Sequence, residues 1–345
     1  MFDTCYLHLG GEKTGSTTIQ KFLADNRAAF KKNGYFIPRA PGELSHVRLA
    51  VYAQQDFANA AFLTGVGITD ASKLNARQEK IAARLKAEIE AVKAPMHALV
   101  LSSEHCQSEV VTEASVRRLA DLLGCFARTI RIIFYVRRQD HVAVSHFSTA
   151  LRLGFEVPSP DLGADEQSHR YNHFRVAKLY ASVFGQDAID VRLFGADEFE
   201  GKDLLDDFTS AIKLPVAGTW PRASRVNASL NLDAQRLLLF LNTLGNTPFS
   251  MDSDKRALLL EVLEREMGGT GILPARSDAE AFVKRFDASN EALRARYFPH
   301  LPTPLFGDDY SCYPTKVGAA VMKRAEAVQI LDRLLPDHQA IIERL

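Results

Sequence analysis

Neither sign of charge prevails in this chain of 345 residues, where 42 lysines and arginines face 42 aspartates and glutamates. That balance excludes a general polyanion binder, nucleic-acid binders included, and confines any anion site to a local basic cluster. There are only four cysteines, Cys5, Cys106, Cys125 and Cys312, and no Cys-x-x-Cys pair, so the spacing of a zinc module is missing. Cys5 stands in an apolar run, where a reduced, buried thiol is expected. No apolar run approaches the roughly 18 residues of a membrane span. The start, MFDTCYLHLGG, lacks a basic stretch followed by a long apolar one, so no secretory leader is expected. Internal repeats and low-complexity tracts are also missing. A cytoplasmic, soluble, metal-free protein is the expectation. The hydrophobic share of 46% and the charged share of 24% are those of an ordinary globular chain.

What is there alternates. Cys5 to Leu9 reads as a buried strand, and Ile19, Phe22, Leu23 and Phe30 follow at helical spacing up to Gly34. Tyr35 to Pro38 reads as a second short strand. Residues 40–95 are mostly helical in pattern, most strongly in QEKIAARLKAEIEAVK, and are too long for a simple connection. They read as a helical insertion able to shape a substrate cleft. Strand patterns return at 97–102, 131–136 and 188–194. Helical patterns lie between them: one capped by Thr112 and ending at Gly124, one from near Asp140 to Gly154, and one over 174–184. From about residue 230 to 345 the pattern is mainly helical. Strands alternating with helices predict an α/β fold of three layers with a central parallel sheet of about five strands. The whole chain, 1–345, reads as one domain with a helical insertion and a helical C-terminal region.

Two stretches carry chemistry. In LHLGGEKTGSTTIQKFL a strand runs into a glycine-rich turn and then a helix. Backbone N–H groups at a helix N-terminus, with the helix dipole, favour an anion. Gly10, Gly11 and Gly15 permit close approach; Thr14, Ser16, Thr17 and Thr18 offer hydroxyls; Lys13 offers charge. The nucleotide-binding pattern G-x-x-x-x-G-K-[ST] is not matched, because the lysine precedes the glycine. The second stretch, RIIFYVRRQDHVAVSHFSTALRLG, places Arg137 where a parallel strand ends and Ser145 eight residues on, in the next helix. Strand ends are where α/β folds bind ligands, and arginine gives phosphate bidentate, charge-assisted contacts.

Together and in this order, EKTGSTT and YVRRQDHVAVSHF resemble the two nucleotide motifs of sulfotransferases that use 3′-phosphoadenosine 5′-phosphosulfate (PAPS), in particular bacterial members and carbohydrate sulfotransferases. The resemblance implies a P-loop-like fold. It assigns Lys13, Thr14, Gly15, Ser16, Thr17 and Thr18 to the 5′-phosphosulfate, and Arg137 and Ser145 to the 3′-phosphate. RVNASLN, at 225–231, is similar to a loop that comes near the nucleotide in related enzymes, which adds Arg225, Asn227 and Ser229, with Arg222 just before it. YNHFRVAKLYASVFGQDAIDVRLFGADEF and FDASNEALRARYFP are similar to segments of bacterial members. PAPS would be the co-substrate and adenosine 3′,5′-bisphosphate (PAP) the product, with no metal. The sulfuryl group would pass by in-line displacement to an acceptor hydroxyl on a carbohydrate or glycolipid.

An acceptor hydroxyl needs a base within hydrogen-bond reach. The strand HALVLSSEHC ends at Glu104 and His105, between the two nucleotide motifs, and either can serve; His46, at the start of the helical insertion, is a third candidate on the acceptor side. Two other readings stand beside this one. A P-loop kinase or NTPase would need Mg²⁺, and a nucleotide- or glycan-binding protein on the same scaffold would bind PAP without transferring sulfate.

Overall fold

The structure, a computed structural model, describes residues 1–214, 220–222, 229–245, 253–318 and 321–335. The chain packs into two compact units. The first comprises residues 1–137, 166–224 and 288–306, and the second comprises residues 138–165, 225–287 and 307–345.

The first unit is built on five parallel strands: β1 (Phe2–His8), β2 (Tyr35–Phe36), β3 (Ala98–Ser102), β4 (Ala127–Val136) and β5 (Ile189–Leu193). They lie in the order β2-β3-β1-β4-β5, so β1 is central, between β3 and β4. The expected α/β class and five-stranded parallel sheet are therefore present. The inner parts of the strands read as apolar runs because both faces are covered there, whereas the first half of β4 and much of β5 are partly exposed. Cys5, Leu7, Leu99, Leu101, Ile132, Phe134 and Val136 point into one core, while Tyr6, Ala98, Val100, Ile133 and Tyr135 point into the other.

Helices α1 (Ser16–Asp25) and α2 (Arg27–Lys32) supply Ile19, Phe22, Leu23 and Phe30 to the second core. Sequence periodicity runs through both as one helix, but the structure breaks it at Asn26. The Asn26 amide donates to Phe22 O at 2.9 Å and to Pro221 O at 2.9 Å, and that distant partner left no local signal. The insertion forms α3 (Val47–Ala53), α4 (Ala60–Gly65) and α5 (Ala71–Glu90). Leu74, Gln78, Ile81 and Leu85 of α5 are buried at the spacing of one helix face. Leu74 and Ile81 join Val51, Leu63 and Ile68 in a small core of the insertion's own.

Two further helices follow β3: the single turn α6 (His105–Ser108) and then α7 (Glu113–Gly124). Thr112 caps α7 as expected, its hydroxyl accepting from Ser115 N–H at 3.2 Å. Helix α8 (Gln139–Arg152) opens the second unit, and α9 (His173–Phe184) returns to the first.

The second unit is helical, as the pattern beyond residue 230 predicts. Phe147 and Leu151 of α8 pack with Leu237, Leu238 and Leu241, with Leu259 and Leu263, and with Leu331. Each leucine so buried contributes about 1.5–3 kcal/mol. Arg138 and Asp140 form a buried ion pair at 2.8 Å at the start of α8. Arg138 also donates to Gly307 O at 2.7 Å and Asp309 O at 3.0 Å, and its guanidinium lies over the Tyr310 ring. Burial alone would raise the Asp140 carboxyl, but the hydrogen bonds from Arg138 hold it below the usual range. Arg138 is thus a strut between α8 and residues 307–310.

Among the described residues no helix is long and apolar enough to cross a membrane.

Candidate active site

A sheet whose chain order reverses beside β1 opens a crevice beyond the carboxyl ends of the neighbouring strands, and α/β folds bind ligands there. In this chain β1 ends at His8 and leads into the glycine-rich turn. Its neighbour β3 ends at Ser102 and leads to Glu104 and His105, and its other neighbour β4 ends at Val136, directly before Arg137. The register pairs His8 with Ser102 on one side and with Ile133 on the other.

The turn is held tightly against both neighbours. A Cβ on Gly11 would lie 2.1 Å from Tyr135 O, so β4 admits only glycine there. Gly10 has φ +60°, and a Cβ on it would stand 3.3 Å from the Glu104 backbone. Glu104 and the turn are therefore in contact. Lys13 is half-buried and has φ +63°, a left-handed conformation that costs a non-glycine residue about 1–2 kcal/mol. Arg137 supports it by donating from Nη1 to Lys13 O at 3.1 Å. The guanidinium also lies over the Phe194 ring at 5.3 Å. Helix α1 begins at Ser16, with Gly15 as its N-cap; its first amides, at Ser16 and Thr17, have no acceptor within the helix.

The hydroxyl residues divide. Thr14 is buried, and both its N–H and its hydroxyl donate to Gly11 O, so it closes the turn rather than offering a hydrogen to a ligand. Ser16 is also buried, with only a long 3.4 Å contact to Gly11 O. Thr17 is exposed and Thr18 partly so.

Of the base candidates, Glu104 is partly exposed at the start of α6. His105, beside it, stacks on Phe62 of α4 with ring centres 5.7 Å apart, and its Nδ1 is buried without a hydrogen-bond partner. The helical insertion therefore reaches the end of β3 through Phe62. His46 does not belong to this group. It is buried, and Ser102 N–H donates to its Nδ1 at 3.1 Å, which leaves the proton on Nε2 to donate to Pro38 O at 3.0 Å. Both ring nitrogens are bonded to backbone, so His46 bridges residues 38–46 and β3.

Ser145 lies on α8 in the second unit, partly exposed, and Ser229 is an exposed residue of the same unit. Arg225 and Asn227 lie outside the described residues. Arg222 is ion-paired with Asp203 and Asp206.

Other residues at the crevice were not singled out from sequence. His173, at the start of α9, donates from Nε2 to Arg137 O at 2.7 Å. Arg170 is ion-paired with Glu12, the residue before Lys13, at 2.7 Å. The stretch YNHFRVAKLY did carry the histidine, but its partner is a backbone carbonyl and left no mark on the sequence.

No protein-family model and no curated protein matches the chain. Among solved structures, a sulfotransferase from Alicyclobacillus acidocaldarius aligns at 14% identity and a TM-score of 0.45, over 86% of this chain and 96% of that one. At that distance, function has to be read from this chain's own residues.

Four histidines of the first unit are kept neutral by burial. Burial pushes His8 and His46 down to about 3, with the nearby Arg27 charge adding to the effect on His46; burial likewise brings His169 and His173 to about 4. In the unfolded chain each takes a proton near pH 6.5. The unfolded state therefore binds more protons below that pH. The stability contribution is complete above about pH 7 and is lost as pH falls toward 4 and 3, at up to about 1.4 kcal/mol per pH unit for each histidine. Urea midpoints are expected to drop steeply between about pH 7 and pH 4, and His46→Gln is expected to flatten that slope. A midpoint independent of pH over that interval would contradict the assignment.

Proposed function

We propose that this chain is a PAPS-dependent sulfotransferase acting as a single domain over residues 1–345, and that it moves the sulfuryl group to an acceptor hydroxyl on a carbohydrate or glycolipid. The observation that carries this reading is the convergence of the Lys13 turn, Glu104 and Arg137 at the ends of three adjacent parallel strands, with Arg137 bonded to the Lys13 carbonyl.

The glycine turn and the first amides of α1 form a cradle of the right chemistry for a 5′-phosphate. Thr17 and Thr18 can add hydroxyl contacts, with Ser16 behind them. Lys13 stabilises the negative charge that builds on the oxygen bridging phosphorus and sulfur. Arg137 takes the 3′-phosphate; Ser145, Arg225, Asn227 and Ser229 are the further residues that the motif resemblance assigns to the nucleotide. As the acceptor oxygen bonds to sulfur, the bridging S–O bond breaks, PAP leaves, and the acceptor's proton passes to the Glu104 carboxylate. His105 is the second candidate for that proton. A sulfuryl group carries less charge than a phosphoryl, so a lysine and an arginine can serve where a kinase needs Mg²⁺.

The test is calorimetry with PAP followed by transfer of labelled sulfate from PAPS to a panel of glycans, glycolipids and small alcohols. Binding in the low micromolar range and transfer without added Mg²⁺ are expected. Binding without transfer to any acceptor would favour a non-catalytic role, and transfer of phosphate from a Mg-nucleotide would overturn the reading. Glu104→Gln is expected to lower turnover by about 10²–10⁴-fold, the usual worth of a general base. If Glu104→Gln keeps full turnover and His105→Ala does not, the proton goes to His105.

A further inference from the structure

The turn that precedes α9 touches three elements, each carrying a residue of the candidate site. His169 O accepts from Gln107 Nε2 at 3.2 Å, and Gln107 sits on α6, three residues after Glu104 and two after His105. Arg170 Nε meets the Glu12 carboxylate at 2.7 Å, next to Lys13. His173 Nε2 donates to Arg137 O at 2.7 Å. Base, lysine and arginine are thus tied to one short segment.

That segment is itself braced. Asn172 caps α9 by accepting from Arg175 N–H at 2.9 Å, and its amide donates to Glu166 O at 2.8 Å. Asn172 N–H donates to Ser168 O at 2.9 Å, and Arg175 reaches Gln167 at 2.6 Å. The turn is a closed loop of hydrogen bonds, able to transmit position.

The Glu12 side chain is 13% exposed and that of Arg170 is 48% exposed. A largely buried carboxylate beside an anion cradle is costly unless paired. Here the pairing also fixes the residue that leads into Lys13, whose left-handed backbone is unfavourable alone. Arg170 grips this turn on the Glu12 side, and Arg137 grips it at the Lys13 carbonyl.

We propose that Arg170 is a positioning residue: through Glu12, and on a turn also fixed to Gln107 and Arg137, it holds the Lys13 turn in register with Glu104. This rests on the sulfotransferase reading for its effect on turnover, but the restraint itself does not depend on it. Misplacing a reacting group by about 1 Å can cost about a hundredfold in rate, so loss of one of several restraints should cost about tenfold.

The experiment uses the full chain with Arg170→Ala, Arg170→Lys, Glu12→Gln and the double variant Glu12→Gln/Arg170→Ala. Hydrogen exchange is followed in the free protein over residues 9–18, alongside turnover, KM for PAPS and affinity for PAP. Arg170→Ala and Glu12→Gln should each speed exchange in residues 9–18 and lower kcat by about tenfold. Glu12→Gln should leave PAP affinity within about twofold, because a positioning residue acts on the transition state more than on binding. Arg170→Lys should recover most of the rate, and the double variant should be no worse than either single one. Unchanged exchange and rate would overturn the proposal. So would additive losses, or recovery of wild-type turnover in the double variant, which would reduce Arg170 to neutralising a charge. If Arg170→Ala does not fold, Glu12→Gln decides alone. If the wild type neither binds PAP nor transfers sulfate, the functional reading fails while the exchange measurement still tests the restraint.

Discussion

Substituting Lys13 with alanine is expected to lower turnover for sulfuryl transfer by about 10²–10³-fold, with the fold intact. The magnitude is that of removing one preorganised group aimed at charge developing in the transition state. The fold should survive because alanine and lysine face the same left-handed penalty at φ +63°, and because the restraints on the turn fall on other groups: the Lys13 carbonyl, the Glu12 carboxylate and the Gly11 carbonyl. A matching loss in kcat and kcat/KM would mark an interaction made in the transition state. Near-normal turnover, measured in a single-turnover experiment, would remove Lys13 from the mechanism. Lys13→Arg should recover part of the rate, since the charge is kept and its placement is not.

The second large effect concerns recognition of the donor. Arg137→Ala is expected to weaken PAP binding by about 2–4 kcal/mol, roughly 30- to 1,000-fold, the range for truncating one partner of a close charged pair. The backbone at Arg137 is fixed independently of its side chain by His173, so the variant removes the guanidinium without releasing the strand end. Adenosine 5′-phosphosulfate, which lacks the 3′-phosphate, supplies the control. Its affinity should change much less than that of PAP, and only by the share owed to the lost Lys13 contact. Equal losses for the two ligands, or none for PAP by calorimetry, would detach Arg137 from the 3′-phosphate.

The parts of the site legible in sequence are those that local chemistry dictates. A strand running into Gly10 and Gly11 and then a helix announces an anion turn, and an arginine after an apolar run announces a strand end. Thr112 as a cap and the stripe through Leu74, Ile81 and Leu85 are local in the same sense. What stayed hidden depends on contacts that only the folded chain reveals, some to near neighbours and some to distant residues. His46 reads as a helix-start histidine until Ser102 is seen to take Nδ1 and the Pro38 carbonyl to take Nε2. Thr14 reads as a ligand hydroxyl until the turn folds its proton back onto Gly11. Arg138 stands beside Arg137 in the same basic pair, yet one bonds the Lys13 carbonyl and the other is buried against Asp140. Arg170 lies in a polar turn with no periodicity at all, and only the fold brings it to Glu12.

The sheet that gathers these residues has two rims, and both are poor templates for another chain. At one rim β2 offers two residues, Tyr35 and Phe36, already matched to Ala98 and Leu99. At the other, β5 carries Asp190 and Arg192, and Arg192 is committed to Asp190 and to Asp207. Short or charged rims resist strand-to-strand accretion. The protein can therefore keep an apolar centre in its parallel sheet without inviting aggregation through that sheet's margins.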